Sequence, residues 1–191
     1  WLNELLRGEG RGDHAAHPLC ICGHPHCNKG RAELRCKDCT GCEGFSAECI
    51  VREHERNPLH RVERWNWDLG CFDDVSLRAL GLRVYLGREL HPDRICPHPK
   101  RAPGKKFVVM DSNGLHDVDL YYCDCGKGQS FPVQLFRMKW LPSTGRLPRT
   151  AATFNVMRRY HLLSLESKCS MGEFYKSLVR LTNNTGEPPA V

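Results

Sequence analysis

Residues 20 to 60, CICGHPHCNKGRAELRCKDCTGCEGFSAECIVREHERNPLH, hold seven of the chain's twelve cysteines, together with His24, His26, His54 and His60. So many thiols and imidazoles make a poor apolar core and a good set of metal ligands. Cys36-x2-Cys39 is followed after fourteen residues by His54-x5-His60, a spacing within the range of zinc sites. Zinc carries no geometric preference from its d-electrons, so two short separated segments can supply a tetrahedral set of thiolates and imidazoles. Cys36, Cys39, His54 and His60 are therefore expected to bind one structural zinc ion.

A single DNA-reading finger would use the same four ligands, but Pro58 lies between the histidines and would interrupt the helix that carries them. Cys20, Cys22, Cys27, Cys42 and Cys49 are left over, with His24 and His26 in reserve, and they bracket or interleave with the first set. The pattern predicts two interleaved ions in a cross-braced module. About 40 residues bury too little apolar area to fold alone, and ligation takes over that role. Spacing leaves the second set open, with Cys22 and Cys49 its surest members.

A third cluster lies further on. Cys123-x-Cys125 places two thiols on one face of an extended strand, where they need a cation between them or must stay protonated. Cys96, in the preceding Pro-rich loop RELHPDRICPHPKRAPGKK, is the expected third ligand. His91 ranks first for the fourth position, ahead of His116, with His98 competing. Three zinc ions are expected in all. Six disulfides are the alternative use of twelve cysteines. The histidines at ligand spacing, the short Cys pairs and the lack of a recognisable secretory signal argue against that use.

Elements must position these ligands. Leu2, Leu5 and Leu6 mark a short amphipathic helix ahead of the first module. Trp65, Trp67 and Phe72 read as apolar cover toward a second domain, Ser76 as the cap of a short helix SLRAL, and Cys71 as an isolated buried thiol. LRVYLG alternates as a strand. Asn113-Gly114 between β-prone runs predicts a hairpin with a type I′ turn, whose far end delivers Cys123 and Cys125. QSFPVQLFRMKWLP alternates as a fourth strand. Residues 150 to 163, with Thr150 as candidate cap, and 171 to 182, with the capping box Ser170-x-x-Glu173, predict two helices. Phe154, Met157, Tyr160 and His161 would form the core stripe of the first; Met171, Phe174, Tyr175, Leu178 and Val179 would form that of the second. The expected fold is α+β: a small cross-braced zinc module over residues 1 to 64, then an antiparallel sheet with a zinc site and two C-terminal helices over 65 to 191.

Charged residues at 26% and hydrophobic ones at 40% are globular values, and no apolar run is long enough for a membrane helix. The start at Trp1, without an initiator methionine, reads as a piece of a longer protein. The formal charge of +6 is unevenly placed: residues 132 to 181 hold nine Lys or Arg against two acidic residues. Such a local positive field suits an anionic partner, or else marks a solvated face. Lys139, Arg146, Arg149, Arg158 and Arg159 are the candidate DNA contacts.

The stretches RCKDCTGCEGFSAECIVREHERNPLHRVERW, SLRALGLRVYLG, FVVMDSNGLHDVDLYYCDC, QLFRMKWLPSTGRLPRTAATFNVMRRYHLLSLESK and FYKSLVRLTNNTG follow one another in an order that resembles the CxC-type cysteine-cluster domain associated with KDZ (Kyakuja-Dileera-Zisupton) transposases of fungi. The leading module is also similar to a B-box, a cross-braced two-zinc fold that usually serves protein contacts. The resemblance implies a nuclear, non-catalytic region upstream of a transposase core, contributing DNA or chromatin association. Ser46 stands where the family pattern has a cysteine, which implies a lost ligand in the second set unless Cys42 substitutes. Arg88 stands where the family tends to have a histidine, which favours His91 as replacement.

An enzyme would need an open metal position and a nearby acid or base, whereas each cluster offers four or more candidate ligands. Asp111, Asp117, Asp119 and Asp124 near the hairpin suggest a divalent-metal nuclease centre only weakly, since carboxylates on strands are commonly just solvated. The leading expectation is a zinc-stabilised DNA-recognition domain, and the alternative is a protein-interaction or self-association module.

Overall fold

The computed structural model describes residues 1–41, 43–87, 95–126 and 129–185. The chain forms two units, Trp1–Leu82 and Arg83–Val191, where the sequence suggested a boundary after residue 64. Strand pairing accounts for the difference. Strand β2 (Val62–Asn66) is the centre of a three-stranded antiparallel sheet, between β1 (Leu34–Cys36) and β3 (Cys71–Val75). The hairpin after residue 64 is therefore built into the first unit.

That unit opens with α1 (Leu2–Glu9), whose leucines are all exposed. It also contains α2 (Ala47–Glu53). Leu34, Phe45, Ile50, Val62, Leu77 and Leu82 form its small apolar core. Trp65 meets Phe72 edge-on at 4.9 Å across the β2/β3 register. Cys71 is exposed at the start of β3 and not buried as expected. SLRAL is too short to sustain a helix and forms a turn, in which the Ser76 hydroxyl accepts the Ala79 N–H at 3.1 Å and Gly81 adopts φ +98°.

The second unit is a mixed sheet of six strands: β4 (Arg83–Tyr85), β5 (Pro99–Arg101), β6 (Phe107–Asp111), β7 (Gly114–Cys123), β8 (Trp140–Pro142) and β9 (Thr150–Thr153). The order is β4-β7-β6-β9-β8, with β4/β7 and β6/β9 parallel. Tyr121 pairs with both Tyr85 and Arg101, so β4 and β5 flank β7 on opposite edges. β5 thus continues the line of β6 along the ten-residue β7. The β6/β7 hairpin forms, but its turn residues are Ser112 and Asn113, and only Gly114 of the expected pair has a positive φ, at +138°. Gly114 answers a second demand too: a Cβ there would lie 2.7 Å from Thr182 Oγ1, and that hydroxyl accepts the Leu115 N–H at 2.7 Å.

The expected fourth strand is a correction. Residues Phe131–Arg137 are helix α3, with Ser130 at the N-cap and Pro132 in the first turn. Pro has no N–H for a sheet ladder and is tolerated at a helix start. The helical stripe buries Gln134 and Leu135 and stacks Phe131 on Tyr122 at 4.3 Å. The helix expected from Thr150 starts later: residues 150 to 153 are β9, and Thr153 caps α4 (Phe154–Glu166) by accepting the Val156 N–H. Val156, not Phe154, anchors α4, and His161 is exposed. α5 (Met171–Thr182) begins at the capping box Ser170/Glu173 and buries Phe174 and Leu178, while Met171 and Tyr175 stay exposed. No helix among the described residues is long and apolar enough to cross a membrane.

Candidate metal centres

Helix α2 serves two clusters at once. Cys49 within it and His54 at its C-cap are five residues apart, hence about 140° apart around the axis. They therefore address ligands on different sides. Cys49 gathers with Cys20, Cys22 and Cys27, and His54 with Cys36, Cys39 and His60; within each group the ligand atoms lie within 4.8 Å of one another. In chain order the ligands of one group interrupt those of the other, which is the cross-brace.

In the mixed group, Cys39 Sγ lies 3.3 Å from His60 Nδ1 and 3.5 Å from His54 Nε2, and Cys36 Sγ lies 3.5 Å from His60 Nδ1. Bonds of about 2.0 to 2.3 Å to a tetrahedral ion give ligand–ligand edges of about 3.3 to 3.8 Å, so the donors fit such an ion. His54 Nδ1 faces the Ile50 carbonyl at 2.8 Å and must donate to it, leaving the Nε2 lone pair for the metal. Asp38 steadies the loop. Its backbone N–H reaches Cys36 Sγ at 3.4 Å, and its carboxylate accepts the Arg61 backbone N–H at 2.6 Å and side-chain Nη2 at 2.9 Å.

In the four-cysteine group, Cys49 Sγ and Cys27 Sγ are 3.5 Å apart. A disulfide would need about 2.05 Å, and every described cysteine is free. The group gathers four cysteines without residue 46, so the serine empties nothing: Ser46 occupies the N-cap position of α2. Cys42 lies outside the described residues. His24 instead contacts Glu53 at 2.6 Å, and His26 is exposed; neither joins the group. Hydrogen bonding from Ser46 pulls the Cys49 thiol down, but burial and the Cys22, Cys27 and Cys20 sulfurs prevail and push it up to about 12. Burial likewise opposes ionisation of Cys20, yet hydrogen bonds from Ser46 and Cys22 bring it down to about 7.

The third group is Cys96, Cys123 and Cys125. Antiparallel pairing of Pro99 with Cys123 returns the Cys96 loop to the end of β7, and Cys123 Sγ and Cys125 Sγ lie 3.3 Å apart. Burial, with the neighbouring Cys96 and Cys125 sulfurs, pushes the Cys123 thiol up to about 12. The histidine choices resolve unequally. His91 lies outside the described residues. His116 sits seven residues up β7 from Cys123, about 23 Å away along a strand, and its Nε2 contacts Asn113 Oδ1 at 2.7 Å; it is not a ligand. His98 contributes its backbone, donating N–H to Cys96 Sγ and accepting the Asp124 N–H.

The carboxylates weighed as a nuclease centre do not gather. Asp111 accepts the Thr153 hydroxyl, Asp119 pairs with Arg101 and Arg83, and Asp124 pairs with Lys100. Among the described residues no metal-competent group contains a carboxylate.

A family model described as "CxC2 like cysteine cluster associated with KDZ transposases" matches residues 77–186, more than half of the chain. The chain belongs to this family. No curated protein and no solved structure matches it. The matched CxC2 segment takes in the third cluster, while the two interleaved clusters lie N-terminal to it. The likeness seen from RCKDC to RVERW is therefore not part of the match. In the CxC2 segment the sequence reading missed Gln134, buried against Cys123. Only a glutamine inside an apolar run hinted at it.

Thiol ligands must lose their protons to bind a metal, so loading responds to pH. Near neutrality Cys49 and Cys123 carry their protons, so zinc added to metal-free chain is expected to release protons, read as a colour change of a pH indicator in weak buffer. Coordination depresses a thiol's pKa, so the stability it contributes is full above the free thiol's pKa, declines as pH falls below it, and is gone below the bound thiol's pKa. Apparent zinc affinity should therefore drop with each step toward acid, by about tenfold per pH unit for each proton displaced.

Proposed function

We propose that the chain is a non-catalytic, zinc-stabilised recognition region of a KDZ-type transposase that binds DNA in the nucleus through its basic second unit. One observation carries the DNA reading: Lys139, Arg146, Arg149, Arg158 and Arg159 are all exposed, and among the described residues none of the five is in an ion pair. They form two groups. Lys139 accepts the Phe154 N–H through its carbonyl, and Arg159 reaches the Ser112 carbonyl at 3.4 Å, which sets Lys139, Arg158 and Arg159 around the start of α4. Arg146 and Arg149 lie at the opposite end of β9, beside the turn that carries Lys105 and Lys106. The four residues of β9 separate the groups by about 13 Å, a span that can engage more than one phosphate. Contacts of this kind position a protein on DNA without reading its sequence.

The test is a salt titration of duplex binding by the full chain beside an Arg158→Glu/Arg159→Glu variant. Affinity should fall steeply with salt, with a log–log slope of about −0.9 per phosphate contact, and the variant should show a shallower slope. Absence of binding at about 50 mM salt, or a variant that binds as the parent does, would defeat the reading.

A second reading, a B-box-like protein-contact or self-association module, rests on Trp67. Trp140 is buried and Trp65 is half-buried, but Trp67 is 48% exposed, with the Arg11 and Arg31 guanidiniums each 4.6 Å from its ring. A rigid exposed Trp beside Arg is typical hot-spot composition. On this reading, association barely changes with salt and is lost in Trp67→Ala.

A further inference from the structure

β5 pairs one edge of β7 as far as Cys123, and β4 pairs the other edge as far as Tyr121. β4 pairs with β7 through Tyr85 and Tyr121, and among the described residues the last rung of that edge is the Leu86 N–H donating to the Tyr121 carbonyl at 2.8 Å. Backbone groups along a strand face alternate edges, so the N–H and C=O of Cys123 point to the same edge as those of Tyr121. The side-chain amide of Gln134 fills this place. Its Oε1 accepts the Cys123 N–H at 2.8 Å, and its Nε2 donates to the Cys123 carbonyl at 2.9 Å and to the Gln129 carbonyl at 2.7 Å. Gln134 is 3% exposed, and Phe131 of the same helix is stacked on Tyr122, the residue before Cys123.

A carboxamide is the one side-chain type that offers donor and acceptor in the geometry of a peptide group. Gln134 therefore pairs with the Cys123 backbone as a strand residue would, where β7 ends and the chain turns toward Cys125. Removing the amide would take both of these hydrogen bonds from the Cys123 backbone, and the backbone would shift to replace them. A shift there moves the Cys123 sulfur relative to Cys125 Sγ, 3.3 Å away.

We propose that Gln134 is the positioning residue of the third metal centre, holding the Cys123 backbone so that Cys96, Cys123 and Cys125 converge. The proposal rests on reading those three cysteines as metal ligands, and its test separates the two. Gln134→Glu keeps the shape and the acceptor but replaces the donor with an anion facing two carbonyls. Gln134→Met removes both polar groups at similar volume.

The full chain, loaded with zinc, is titrated with a chromogenic chelator, and Cys125→Ser identifies which ion belongs to the third centre. The parent is expected to hold three ions. In both Gln134 variants one ion, the one lost in Cys125→Ser, should bind about 10- to 100-fold more weakly, with the other two unchanged. A parent holding only the two ions of the first unit would defeat the metal reading of the third cluster itself. A parent with three ions, and variants that keep the third at parental affinity, would overturn the role of Gln134 alone. Variants that lose their sheet signal in circular dichroism would also overturn it, by assigning Gln134 to folding of the whole unit.

Discussion

Replacing Cys49 with alanine is expected to unfold the first unit, not merely to loosen it. Apparent zinc-binding energies of structural sites run to about 10 to 16 kcal/mol at neutral pH, whereas a unit of this size has a net stability of roughly 4 to 12 kcal/mol. Losing one ion therefore removes about as much as the fold has to spare. The apolar core offers little in reserve, since Leu34, Phe45, Ile50, Val62, Leu77 and Leu82 are its principal large members. The clusters are also not independent. Cys49 and His54 both depend on α2, and the Ile50 carbonyl that orients His54 lies one residue from Cys49. Losing one ion should therefore release the other. Amide spectra of Cys49→Ala, or of the parent under strong chelation, should show residues 34 to 62 collapsing to random-coil shifts, and proteolysis should become rapid there. Retained dispersion across that stretch would mean that apolar packing, not metal, holds the unit.

The clusters were legible in the sequence because metal chemistry uses few residue types at short spacings. Cys36, Cys39, His54 and His60 could be read as one group before any fold was known, and the structure brings their donor atoms together. The four-cysteine group was not, since seven candidates fell in one stretch and selection among them depends on how α2 turns Cys49 toward Cys20, Cys22 and Cys27. Strands were harder. The run from Val133 to Met138 alternates as a strand would, and the deciding facts are that Pro132 cannot join a ladder and that the Cys123 backbone needs the Gln134 amide. Neither shows in local periodicity. β5 and β9 were missed for a related reason: PKR and TAAT carry no hydrophobic pattern, and they become strands because the long β7 and the exposed edge of β6 need partners. The hairpin was foreseen, with its turn placed one residue too far along. Gly114 is needed for α5 to approach and not for a type I′ turn.

The second unit should respond to mutation in the opposite way from the first. Phe174 on α5 is buried, its ring 5.3 Å from Tyr160 of α4, in a cluster with Ala152, Val156 and Leu178. Truncation to alanine removes most of that contact and leaves a cavity that the capped, hairpin-stitched helix cannot easily collapse into. Phe→Ala at such sites costs about 3 to 5 kcal/mol. At about 4 to 8 °C per kcal/mol for a domain near this size, the midpoint of thermal unfolding should fall by roughly 15 to 30 °C. Chelation should leave most of that difference in place, because the energy lies in packing between α4, α5 and the sheet. Thermal melts of parent and Phe174→Ala, each with and without chelator, measure both statements at once. A fall of under about 5 °C, a shift worth roughly 1 kcal/mol, would show that α5 is not part of the stabilising core. The frame holding Arg158 and Arg159 in place would then be β6 and β9, the strands that α4 packs against.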